Sequence, residues 1–146
     1  MAIFQSSSFG SLLLSALKYT LGAGVVAAII NLILYNVVGM PQDILAVDGK
    51  EPIAMSHMVM SAIVPAIGAG VLFAILAKFT NRPFLIFNII ATIFFVYMFF
   101  RPLDIPNVTG KMAGLLEVMH VVVACAIVYA LNNMLGSKLE ESNVPT

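Results

Sequence analysis

Four apolar runs of membrane-spanning length, separated by short polar joints, exclude nearly every soluble architecture for this chain. A helix rises 1.5 Å per residue, so a hydrocarbon core about 30 Å thick calls for about 20 apolar residues. In that solvent each backbone N–H and C=O must find its partner within the protein, which makes a continuous apolar run helical. The runs fall at about 16–38, 53–79, 84–100 and 112–135. The third is the shortest and predicts a nearly upright helix or a locally thinned bilayer. Of the 146 residues, 61% are hydrophobic and 10% charged, more apolar surface than so small a soluble domain can hide. The expectation is all-α: one integral membrane domain over 1–146, built as a four-transmembrane-helix antiparallel bundle with a polar tail at 136–146.

The joints fit this division. GMPQDILAVDGKEP is polar and turn-rich, and RPLDIPNVTGK carries two prolines and a glycine. KFTNRP is so short that the second and third runs must form an antiparallel hairpin. The opening stretch MAIFQSSSFGSLLLSALKYTLGAG has no basic start and runs on to about residue 38, which favours a retained helix behind a Ser-rich interfacial head over a cleaved leader. An even number of spans puts both termini on one side. That side holds Lys18, Lys78, Arg82 and Lys138, against Lys50, Arg101 and Lys111 on the other. The excess is one charge, but the tight joint carries two of the four, and short loops weigh most, so both termini are expected in the cytoplasm.

Seven basic and seven acidic residues cancel, and no basic stripe invites nucleic acid. The partner expected first is the lipid bilayer. A single cysteine, Cys125, excludes an intrachain disulfide and is expected to pack as a small apolar side chain. Helices in lipid associate through close contact between small residues. Ala16, Thr20, Gly24 and Ala28 recur every four residues in the first run, and Ala62, Ala66, Gly70 and Ala74 in the second, which predicts that these two cross closely. The third run carries Phe84, Phe87, Phe94, Phe95, Tyr97, Phe99 and Phe100 around most of its circumference. These rings face lipid or, alternatively, a second copy in a homodimer or larger membrane complex.

Ionisable groups inside a span persist when they are paired, hydrated or in use. Glu117 and His120 lie in the fourth run, three residues apart and hence near one face. His57 and Ser61 share a face of the second run, and Asn31 and Tyr35 a face of the first. Counted from the run ends, His57 and Glu117 lie about 9 Å deep, Asn31 about 12 Å and His120 about 14 Å. Arg101 closes the third run near the same surface. Pro65 lacks the N–H that would pair with the carbonyl of Ser61, which frees that acceptor. The economical picture is one polar pocket in the outer half of the membrane, lined by all four helices. Its ligand-binding candidates are His120, Glu117, Asn31, His57, Tyr35, Ser61 and Arg101.

Three uses compete for such a cluster. It can be a satisfied structural network, with Glu117 paired to Arg101 and His120 bonded to Asn31 or Tyr35. It can bind a ligand or ion, as a binding protein or accessory subunit, or in a small proton-coupled transporter acting as a dimer. Or His57, His120 and Glu117 can form a two-His, one-carboxylate metal set in a redox or hydrolytic enzyme. Glu117-Val-Met-His120 also has the spacing found in di-iron bundles, which need a second such pair that this chain lacks. No Ser-His-Asp set, nucleophile elbow, H-E-x-x-H or phosphate loop is present, and no cofactor is indicated.

VAAIINLILY in the first run, SAIVPAIGAGVLFAILAKF in the second, FFRPLDIP at the exit of the third and MHVVVA in the fourth resemble a family of small bacterial four-helix membrane proteins of unknown function. The resemblance covers residues 27–130 and implies a four-span fold, the bacterial inner (plasma) membrane, and Asn31, Pro65 and His120 as polar marks. It implies no activity, and Glu117 and His57 match none of its motifs. Small multidrug exporters are similar in architecture alone: their membrane carboxylate lies in the first helix, not the fourth.

Overall fold

The computed structural model describes residues 8–39, 54–105 and 108–135. Its described residues are helical apart from short joints. α1 spans Phe9–Val38, α2 Met55–Phe79, α3 Pro83–Phe99 and α4 Gly110–Tyr129, with a 3-10 turn at Arg101–Asp104 and a π-helical close at Ala130–Leu135. Four stretches are long and apolar enough to cross a membrane, namely Phe9–Val38, Met55–Phe79, Pro83–Asp104 and Gly110–Asn133. The chain is a small integral membrane protein, an all-α antiparallel bundle.

The first helix begins seven residues earlier than the hydropathy pattern alone places it. Ser8 has extended backbone geometry and its hydroxyl accepts the Ser11 N–H at 3.2 Å, so the Ser-rich head supplies the cap. At 30 residues α1 is about 45 Å long, well beyond the hydrocarbon thickness. It ends where Gly39 takes φ 70°, a left-handed conformation that glycine adopts without strain. α2 starts without a side-chain acceptor at Ala54, but His57 reaches back so that its Nδ1 accepts the Ala54 N–H at 3.1 Å. α3 begins with Pro83, whose missing N–H is no loss in a first turn. The joint candidates 40–53 and 106–107 and the polar tail from 136 lie outside the described residues.

α1 and α2 form the most extensive helix pair. The buried stripe of α1 is Leu12, Ala16, Thr20, Gly24, Ala27, Ala28, Asn31 and Tyr35, the expected small-residue stripe extended by about one turn at its start and about two at its end. On α2 it meets Met58, Ala62, Ala66, Gly70, Phe73, Ala74 and Ala77. Two glycines set the closeness. A Cβ added at Gly24 would lie 2.7 Å from the Ala66 Cβ, and one at Gly70 would lie 2.7 Å from the Thr20 hydroxyl oxygen. The bundle core has a larger cluster around Phe73, Phe87 and Leu131 and a smaller one of Tyr35, Met58, Met112, Leu116 and Met119 toward the α4 start.

α3 is the outlier. Only Pro83 and Phe87 are buried along it, and the Phe73 ring meets those of Phe84 and Phe87 at 4.9 and 5.8 Å. A reciprocal amide pair pins it to the π-helical close after α4: Asn88 Nδ2 donates to Asn132 Oδ1 at 3.1 Å and Asn132 Nδ2 to Asn88 Oδ1 at 2.9 Å. The sequence reading missed this pair, although two asparagines inside apolar runs are themselves a signal for interhelical bonding. Cys125 is exposed on the outer surface of α4.

Candidate functional site

The end of α1, the starts of α2 and α4, the end of α3 and the 3-10 turn share one end of the bundle. There an open cleft of about 370 Å³ lies between α2, α4 and the turn. Its polar lining is His57 and Ser61 from α2, Arg101 from the turn and His120 from α4. Met58, Met60, Pro102, Ile105, Leu116, Met119 and Val123 make up the rest, so the walls are mostly apolar.

Local backbone structure aims each polar group. His57 is held near the α2 start by its bond to Ala54. One turn on, the Ser61 hydroxyl donates to the Met58 carbonyl at 2.9 Å. Arg101 follows the last turn of α3, and its Nη1 pairs with Asp104 at 3.1 Å, both side chains being about half exposed. His120 lies ten residues past Gly110, about 15 Å along α4. Its Nδ1 is 2.7 Å from the Leu116 carbonyl oxygen of its own helix.

Four of the seven sequence candidates therefore line one cleft, and three do not. Glu117 is half-buried but does not line it. The lining face of α4 is Leu116, Met119, His120 and Val123, and Glu117 stands about 110° around the helix from its middle. The expected Glu117–Arg101 pair is not formed, because the turn places Asp104 beside the guanidinium instead. The expected bond from His120 to Asn31 or Tyr35 is likewise replaced by the bond to Leu116. Among the described residues no three His, Cys, Asp or Glu side chains come together as a metal set, so His57, His120 and Glu117 do not converge.

Asn31 and Tyr35 lie behind the cleft. Both are buried on α1, and Tyr35 packs in the cluster that contains the cleft residues Met58, Leu116 and Met119. The pocket is thus a two-helix-and-turn cleft, not one lined by all four helices. Asn31 is fully buried, and among the described residues neither its Oδ1 nor its Nδ2 has a hydrogen-bond partner. Such a group carries a desolvation penalty of about 1–3 kcal/mol. An orphaned amide one turn from Tyr35, in the layer behind the cleft, is the least expected polar feature of the interior.

The sequence pattern described as "Family of unknown function (DUF6069)" matches residues 10–137, and the chain belongs to that family. No curated protein and no solved structure matches the chain.

Proposed function

We propose that this member of the DUF6069 family is a membrane-embedded binding protein or accessory subunit that takes a ligand in the cleft between α2 and α4. The observation that carries the reading is the meeting of His57, Ser61, Arg101 and His120, from three separate stretches of sequence, on one apolar-walled cleft. Polar groups within an otherwise apolar recess are the usual composition of a small-molecule site, and the cleft volume lies in the range of such sites. A proton-coupled transporter built on Glu117 is less well supported, because that carboxyl is turned away from the cleft. The membrane proposed is the bacterial inner membrane. Lys78 and Arg82 at the short α2–α3 joint support an orientation with both termini in the cytoplasm. On this orientation the cleft opens to the outer leaflet. The exposed rings of α3 are left to lipid or to a second copy.

The test is co-purification. The protein is extracted in dodecyl maltoside without chelators, and its bound small molecules and metals are measured by native mass spectrometry and elemental analysis. Ser61→Leu fills the cleft, and Cys125→Ala on the outer surface is the control. Wild type and Cys125→Ala should retain a molecule that Ser61→Leu has lost. The same bound complement in all three proteins, or none in wild type after incubation with total membrane lipid extract, refutes the reading.

A further inference from the structure

The backbone bonds of the two histidines fix what each offers a ligand. The Nδ1 of His57 accepts the Ala54 N–H, so it is bare and the ring proton is on Nε2. A carbonyl oxygen only accepts, so the His120 Nδ1 that bonds Leu116 carries a proton, and in the neutral ring its Nε2 has a lone pair. In the neutral form the unengaged Nε2 is therefore a donor on His57 and an acceptor on His120, and both residues line one cleft. Ser61 spends its hydroxyl proton on the Met58 carbonyl and keeps oxygen lone pairs. Arg101 gives one nitrogen to Asp104, which steadies the guanidinium at the rim and leaves further N–H donors for a ligand. Among the described residues no carboxylate lines the cleft.

A complementary head group has an acceptor oxygen for His57, a second oxygen with anionic character for Arg101, and an O–H for His120 or Ser61. A phosphate monoester in its monoanionic form has all three on one phosphorus, whereas a carboxyl group cannot be anionic and carry an O–H at once. The apolar remainder of the lining, with Met58, Met60, Met119 and Val123, suits a hydrocarbon tail. Resting on the reading of this cleft as a ligand site, we propose that its ligand is a single-chain amphiphile with a phosphate monoester head, of the lysophosphatidic acid class. The head lies between His57, Arg101 and His120, and the tail passes along the methionine wall toward the acyl phase.

Calorimetric titration of the purified protein in dodecyl maltoside tests this with five probes. These are oleic acid, oleoyl lysophosphatidic acid, methyl oleate, oleyl alcohol and inorganic phosphate. The lysophosphatidic acid should bind, and oleic acid, whose carboxyl lacks either the charge or the O–H, should bind more weakly; oleic acid binding as tightly would overturn the phosphate head. Methyl oleate, which has no O–H, and oleyl alcohol, which has no anionic form, should bind at least about tenfold more weakly. Inorganic phosphate should not compete, since it has no tail; binding as tight as that of the lipid acids would overturn the amphiphile. Arg101→Gln should weaken the lysophosphatidic acid about tenfold and leave the methyl ester unchanged, while Arg101→Lys should keep most of the acid affinity. His120→Leu should likewise erase the preference for acid over ester. Equal binding of acid and ester, both abolished in Ser61→Leu, would overturn the head-group class and leave the ligand cleft standing. Failure of every probe, with a molecule still co-purifying with wild type, would do the same. Failure of every probe with nothing co-purifying would remove both.

Discussion

The closest approach between α1 and α2 makes Gly24 the most informative single position. Replacing it with alanine puts a methyl carbon 2.7 Å from the Ala66 Cβ, 3.3 Å from the Ala62 carbonyl oxygen and 3.6 Å from the Ile63 Cδ1. Carbon atoms rest at about 3.5–4.0 Å, so the helices must part by about 1 Å along that contact. A gap of that size forfeits a quarter to a half of each contact across it, at about 0.1–0.2 kcal/mol apiece. Taking the seam to hold about as many contacts as one buried leucine, about 50, the loss is about 2–3 kcal/mol. Higher helix propensity of alanine returns about 1 kcal/mol, which leaves a net destabilisation of about 1–2 kcal/mol. The hydrophobic effect does not compensate, because the parted surfaces meet lipid, which is as apolar as they are. Gly22→Ala is the matched control, since a Cβ there meets nothing within 4 Å and only the propensity gain remains. Unfolding by sodium dodecyl sulfate titration in mixed micelles should separate the two variants by about 2 kcal/mol or more. Ala66→Gly in the Gly24→Ala background removes the shortest contact and should recover part of the loss. If Gly24→Ala proves as stable as Gly22→Ala, the close α1–α2 seam is wrong.

Three further perturbations probe the polar groups. Asn31→Leu removes a buried amide that has no partner among the described residues and should leave stability unchanged or raise it by about 1 kcal/mol in the same titration; a loss above about 1 kcal/mol would mean that Asn31 is hydrogen-bonded in the membrane. Asn88→Leu and Asn132→Leu, singly and together, should give a coupling energy of about 0.6–1.7 kcal/mol in a double-mutant cycle, and strict additivity would show that the amide pair does not form. His57→Ala should fray the α2 start, read as faster hydrogen exchange at the first-turn amides from Met55 to Met58, whereas His57→Gln should preserve protection because glutamine can make the same reach back to Ala54.

Particular residues show how far the sequence reaches. The four spans, their antiparallel order and the α1–α2 seam are legible because they depend on local quantities. Run length against bilayer thickness decides the first, joint length the second, and small residues spaced four apart the third. Position along each helix is a count of residues, and His57, Arg101 and His120, which the count places near the same helix ends, line one cleft. The start of α1 was misjudged because hydropathy does not register the Ser8 cap, although SSSFGS contains it.

Azimuth was not legible. Whether Glu117 or Leu116 faces the cleft depends on how α4 is rotated against α2, and a helix with small residues or methionines on several sides can be rotated with little change in its pattern. The pairing of Arg101 was hidden for a related reason: Asp104 became its partner only because the chain tightens into a 3-10 turn there. The sequence by itself determined the membrane class and the number of helices, because lipid thickness and helix rise act on every residue alike. Only the tertiary structure decided which polar groups share a cleft, that Asn31 has no partner among the described residues, and that the backbone engages Nδ1 of each histidine, because those depend on helix rotation and on backbone groups that compete for the same side chains.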